Sequence, residues 1–163
     1  MAPLRQKTVT PQQALVRLET LCAASEQCSH ELLVKLTRWG ISASDSKSIL
    51  ESLTRRKFLS DKRFAVAYVR DKYRFGKWGR RKIALGLAQK RIDRNTITEA
   101  LDSIDDEEYN NILRAIMRSR ARTIKEGNSY EGRNKLYRAM LSRGYESSLI
   151  ASIIKDSDLW SSL

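Results

Sequence analysis

The 163-residue chain is poor in several things, and each shortage excludes a class of protein. Two prolines and seven glycines are too few for a collagen-like or Pro/Gly-rich chain. Two cysteines, Cys22 and Cys28, cannot build a disulfide scaffold, and they read as ordinary buried thiols of a reducing compartment. The single histidine, His30, falls in the first turn of an expected helix, where a surface or capping role is the ordinary one. With Cys22 and Cys28 it cannot complete a four-ligand zinc site. No run of 18 apolar residues occurs, so no membrane-spanning helix is expected. The polar stretch from Met1 to Thr10 lacks the apolar centre of a signal peptide, which leads to an expected cytoplasmic location.

Chemistry is equally scarce. Neither G-x-x-x-x-G-K-[ST] nor G-x-G-x-x-G occurs. The nearest approach, Gly76-Lys77-Trp78-Gly79, lacks the preceding strand and the glycine spacing of a phosphate loop. Asp105-Asp106-Glu107-Glu108 could suggest metal ligands, but at a helix start carboxylates cap free N–H groups and suit the positive end of the dipole. The expectation is a protein with no catalytic residue, cofactor, metal or small-molecule substrate.

What the chain does have is positive charge. Lys and Arg number 31 against 19 Asp and Glu, a formal net charge of +12. Such a surface attracts polyanions. Residues 1–60 carry +4, 61–105 carry +6 and 106–163 carry +2. Between Lys62 and Arg91 there are 11 basic residues and one acid, Asp71. Phe64, Tyr68, Tyr73, Phe75 and Trp78 are interleaved with them, a mixture suited to a phosphate backbone with bases nearby or to an acidic protein groove. No acid stands between Asp71 and Asp93, so nothing within the stretch neutralises its turn. Arg70, Lys72, Arg74, Lys77, Trp78, Arg80, Arg81 and Lys82 are the candidate contact residues. The plain alternative makes them a solvated helix face, with Trp78 a packed hinge.

Apolar residues recur at helical spacing almost throughout, and no stretch alternates at period two. Thr10-Pro11-Gln12-Gln13 is a capping box with Pro at the first helical position. A second helix starts near Ser29 and stops at Gly40, and a third follows Ser42. Leu32, Leu36, Gly40, Ile41, Ser46, Leu50 and Leu53 then recur as Ile83, Leu87, Arg91, Ile92, Ile97, Leu101 and Ile104. They recur again as Leu136, Met140, Gly144, Tyr145, Ile150, Ile154 and Ser157. A further amphipathic helix precedes each set. The pattern predicts an all-α fold of three tandem three-helix repeats, residues 1–59, 60–105 and 106–163, forming an elongated, curved helical array of either hand.

Residues 61–92, DKRFAVAYVRDKYRFGKWGRRKIALGLAQKRI, resemble the signature of the bacterial regulatory RecX family. Asp61, Phe64, Ala65, Tyr68, Val69, Arg70, Gly79, Ile83, Leu87, Lys90 and Ile92 occupy its pattern. Three positions depart from it. Arg91 stands where Gly is common, so its helix is expected to cap another way or continue; Arg80 replaces a frequent Pro; and Gly86 lies inside a helix, where it suggests close packing. The resemblance implies a non-enzymatic modulator that binds the groove of the RecA–DNA filament and limits its growth; a monomer is expected. ATP hydrolysis, strand exchange and SOS co-protease activity fall in consequence, with single-stranded DNA met through or beside RecA. Two other readings stand beside it: a direct DNA-binding protein built on a helix-turn-helix, and a helical scaffold for an acidic protein partner.

Overall fold

A computed structural model describes residues 8–161. The reading of the first ten residues falls, up to residue 7, outside the described ones. Every regular element is helical, as the apolar spacing predicts, and no strand occurs among the described residues. In chain order the helices are α1 (Pro11–Ala24), α2 (Ser29–Arg38), α3 (Ala43–Arg55), α4 (Asp61–Arg74), α5 (Arg80–Gln89), α6 (Arg94–Asp102), α7 (Asp106–Ala121), α8 (Tyr130–Ser142) and α9 (Ser147–Ile154). A short 3-10 turn, Ser157–Leu159, follows.

The helix starts are local events. Thr10 and Gln13 close a reciprocal capping box on α1, with Pro11 in the first turn. Ser42, Asp93, Asp105 and Ser129 each accept a backbone N–H from the first turn of α3, α6, α7 and α8. The ends share one device. Gly40 and Gly144 adopt φ of +79° and +88°, and the equivalent residue of the middle repeat, Arg91, adopts +58°. The helix before Arg91 therefore neither continues nor caps differently, contrary to expectation: Arg91 takes the left-handed conformation that glycine takes elsewhere. An L-residue there costs about 1–2 kcal/mol.

The chain divides into two compact units. The first takes in the chain up to Ala65 together with Lys90–Ile92. Its core is Ala14, Leu18, Leu32, Leu36, Ile41, Ile49, Leu53 and Leu59, with α3 packed on α1 and α2. Asp61 Oδ1 accepts the Ser29 N–H at 2.8 Å, tying the start of α4 to the start of α2. Cys28 is buried in this unit, and burial pushes its thiol pKa up to about 11; Cys22 is half-buried and free.

The second unit takes in Val66–Gln89 and the chain from Asp93 onward. Here α5 packs on α6, and α8 on α7 and α9. Val69, Ile83, Leu87, Leu113, Met117, Leu136, Met140, Tyr145 and Ile150 are fully buried. The repeated apolar positions are thus inward on the second helix of each repeat. The third helices follow the pattern less closely. Leu50, Ile97 and Leu101 are half-buried, and α6 turns Thr96 and Ala100 inward instead. Thr96 is drawn in because both its N–H and its hydroxyl are held by the Asp93 carboxylate, which those hydrogen bonds keep below the ordinary range.

Candidate interaction surface

The basic turn between α4 and α5 is held by its own backbone. The Phe75 and Gly76 N–H groups both donate to Asp71 O, and Trp78 N–H reaches back to Lys72 O at 3.0 Å. Lys77 takes a left-handed φ of +56°, and its ammonium donates to Arg74 O at 2.7 Å. The turn then docks on the one between α8 and α9. Gly79 N–H donates to Arg143 O at 2.8 Å, and Arg81 N–H to Gly144 O at 3.0 Å. A Cβ on Gly79 would lie 2.3 Å from the Gly144 backbone, so only glycine permits this approach.

The candidate residues divide into two groups. Arg74 and Arg80 are tied to acids elsewhere in the chain. The Arg74 guanidinium makes paired hydrogen bonds to both oxygens of Glu108, at 2.8 and 3.1 Å, and Tyr73 Oη donates to the same carboxylate at 3.0 Å. These bonds, Arg74's first, hold the Glu108 carboxyl below its ordinary range. Arg80 meets Asp106 at 2.5 Å and Glu146 at 3.5 Å, with its guanidinium carbon 4.0 Å from the centroid of Tyr109. Tyr109 Oη donates to Glu146 at 2.9 Å and accepts the Arg80 N–H at 3.0 Å. Tyr73, Tyr109 and Tyr145 pack in series beneath these pairs, with centroids 6.4 and 5.5 Å apart. Burial pushes the phenols of Tyr109 and Tyr145 upward, the latter to about 12.

The turn is therefore not left without counter-charge, as the local absence of acids suggested. Its acids come from α7 and from the turn before α9. Asp106 and Glu108 act beyond the dipole role read from sequence, and Glu146 carried no signal at all, because its partner lies 66 residues away.

Lys72, Lys77, Trp78, Arg81 and Lys82 form the second group, with Arg70 beside them. Among the described residues Arg70 pairs only with its neighbour Asp71, at 3.2 Å, and both are exposed. Trp78 is half-buried, edge-on to Tyr68 with centroids 6.4 Å apart. The ammoniums of Lys72 and Lys82 lie 4.4 and 4.5 Å from its ring centroid. Tyr68 in turn lies over Gly86, where a Cβ would come within 2.3 Å of its hydroxyl; the mid-helix glycine marks the close packing expected of it. Arg81 is exposed.

An open groove of about 1,220 Å³ runs beside α7 and the end of α8, floored by Ile112, Ala115, Ile116, Ala139 and Met140. Among the described residues no group of three potential metal ligands comes together, and no helix is long and apolar enough to cross a membrane.

Helices that repeat in threes, with cations gathered on an indole at one turn, define a basic helical-repeat protein. Residues 60–101 match the second three-helix domain of RecX and residues 106–154 the third. The chain belongs to the RecX family. It is 31% identical over 124 residues to the regulatory protein RecX of Clostridium botulinum (strain Eklund 17B / Type B), covering 75% of this chain and 58% of that protein. It is 30% identical to the regulatory protein RecX of Clostridium perfringens (strain SM101 / Type A), covering 77% and 59%. The chain thus spans a little under three fifths of these relatives' length. The crystal structure of RecX from Lactobacillus salivarius superposes with a TM-score of 0.81 at 23% identity, covering 91% of this chain and 97% of that one. The fold is shared: an all-α array of three-helix repeats.

Proposed function

We propose that this chain is a regulator of the RecA recombinase, binding its nucleoprotein filament and limiting filament growth, ATP hydrolysis, strand exchange and co-protease activity. Membership of a family whose curated members are named regulatory proteins carries the reading. The cations around the turn, exposed Arg70, Lys77 and Arg81 with half-buried Lys72 and Lys82, suit a filament that contains nucleic acid. In this proposal the three repeats span 1–59, 60–105 and 106–163, and the protein acts as a cytoplasmic monomer without cofactor or catalysis.

The helix-turn-helix alternative finds little support in α6, which sets Arg94 against Glu99 and Asp102 and is a poor recognition helix. The deciding experiment is RecA's single-strand-DNA-dependent ATPase with purified protein added at substoichiometric amounts. Inhibition is expected, and an unchanged rate overturns the proposal.

A further inference from the structure

Two aromatic residues stand in the basic turn, and they are not alike. Trp78 is enclosed, with two ammoniums over its ring and the edge of Tyr68 against it. Phe75 is 78% exposed, and among the described residues it makes none of the ring or cation contacts that Tyr68, Tyr73 and Trp78 make. It is nevertheless not loose. Its N–H donates to Asp71 O at 2.9 Å, and Gly76 after it is so close to Lys72 O that a Cβ there would lie at 2.8 Å. The backbone holds this exposed residue at a set place in a turn that also carries Lys77, between helix ends that carry Lys72, Arg81 and Lys82.

We propose that Phe75 is a stacking platform for an unpaired base of single-stranded nucleic acid, and that Trp78 positions Lys72 and Lys82 on the phosphates beside it. The proposal rests on the reading of this turn as a contact surface, and it names the partner that the turn meets. Stacking on an aromatic face needs a base free of its duplex, whereas the backbone charge of either form is met by cations. The surroundings separate this ligand from a protein one. A protein interface has an apolar centre made of several side chains, but Phe75 is the only large apolar residue of 70–82 left exposed, and Arg74 and Lys77 flank it along the chain. Trp78 matters differently. With both ammoniums within 4.5 Å of one centroid, the indole holds two flexible side chains in one place before any ligand arrives.

The test is fluorescence anisotropy with three labelled probes of equal length, without RecA: a deoxythymidine oligomer, the same backbone made abasic, and a duplex. Phe75→Ala is expected to fold normally, because the ring is exposed. It should weaken binding of the thymidine oligomer by about 5- to 150-fold for one lost stacked base, and leave the abasic strand and the salt slope unchanged. Lys72→Ala with Lys82→Ala should lower the slope of log K against log salt by about 1.4 on both single strands. Trp78→Leu should weaken both strands with the lysines present, and Trp78→Phe should restore most of the loss. Phe75→Ala binding like wild type, losing equally on the abasic strand, or wild type preferring the duplex would each overturn the proposal. The RecA ATPase is read in parallel on the same variants. Inhibition that Phe75→Ala abolishes while oligomer binding stays intact would assign the ring to protein and overturn this inference alone. Oligomer binding as expected with no ATPase inhibition by wild type would overturn the regulatory reading and leave this one standing.

Discussion

Alanine at Gly79 and at Gly40 is the same chemical change at two glycines, and the structure gives them different costs. At Gly40 the backbone is left-handed, φ +79°, but nothing lies within 4 Å of a new Cβ. The penalty is therefore conformational, about 1–2 kcal/mol, and it is partly offset because alanine leaves the unfolded chain less entropy to lose, by about 0.4–1 kcal/mol. At Gly79 the new Cβ meets backbone atoms of Gly144 and Tyr145 at 2.3 Å. Backbone cannot rotate away, so the two turns must part. Parting them breaks Gly79 N–H to Arg143 O and Arg81 N–H to Gly144 O. Two broken hydrogen bonds at about 1–3 kcal/mol each give Gly79→Ala an expected cost of about 2–6 kcal/mol.

Urea unfolding followed by circular dichroism reads the difference. At an m-value of about 2 kcal/mol/M the two midpoints should differ by about 1 M, with Gly79→Ala the lower. Gly144→Ala supplies the check, because its Cβ would meet Lys82 Cβ at 2.4 Å across the same junction and its φ is +88°. Once the junction is open the second substitution has less to break, so the double variant should cost clearly less than the sum of the two. A midpoint for Gly79→Ala at or above that of Gly40→Ala, or strict additivity with Gly144→Ala, would refute the docking of these turns.

The remaining expectations are simpler. Leu36→Ala and Leu87→Ala, both fully buried, should each lower stability by about 2–5 kcal/mol, read as denaturant midpoints. Charge reversal at Arg74 or Arg80 should lower the melting temperature, because it sets Glu against Glu108 or against Asp106 and Glu146. Reversal at exposed Arg81 should leave the melting temperature unchanged. A triple reversal of Arg80, Arg81 and Lys82 is therefore not a clean test of binding. Glu108 is held ionised by Arg74 and Tyr73, so its contribution is full above the ordinary carboxylate pKa and is lost as pH falls through the lowered one; Glu108→Gln should flatten that acid limb of the melting profile.

The helices and the inward faces of Leu32, Leu36, Ile83, Leu87, Leu136 and Met140 were legible because capping and apolar spacing act within a few residues along the chain. Arg91 shows where such local rules stop. Glycine is the usual left-handed residue, and its absence suggested another way of ending the helix. Repetition decided otherwise: the turn that Gly40 and Gly144 make is made by Arg91 as well, and the local penalty is outweighed by the packing of Leu87 and Ile92 on either side. The basic turn failed to read correctly for a related reason. Counting charges along residues 62–91 finds one acid, yet Arg74 and Arg80 are answered by Asp106, Glu108 and Glu146, which stand 26 to 66 residues further on. Charge balance is settled in space, while composition is counted in sequence. The count overstates the free charge, and it cannot separate the two arginines that hold the turn from the lysines that Trp78 presents. It treats Phe75 and Trp78 as one aromatic signal too, although only burial shows which ring is exposed. The reliable sequence mark of this surface is therefore not its charge but Gly79, whose small size lets the turn be fixed against Gly144 and so lets its cations have a place at all.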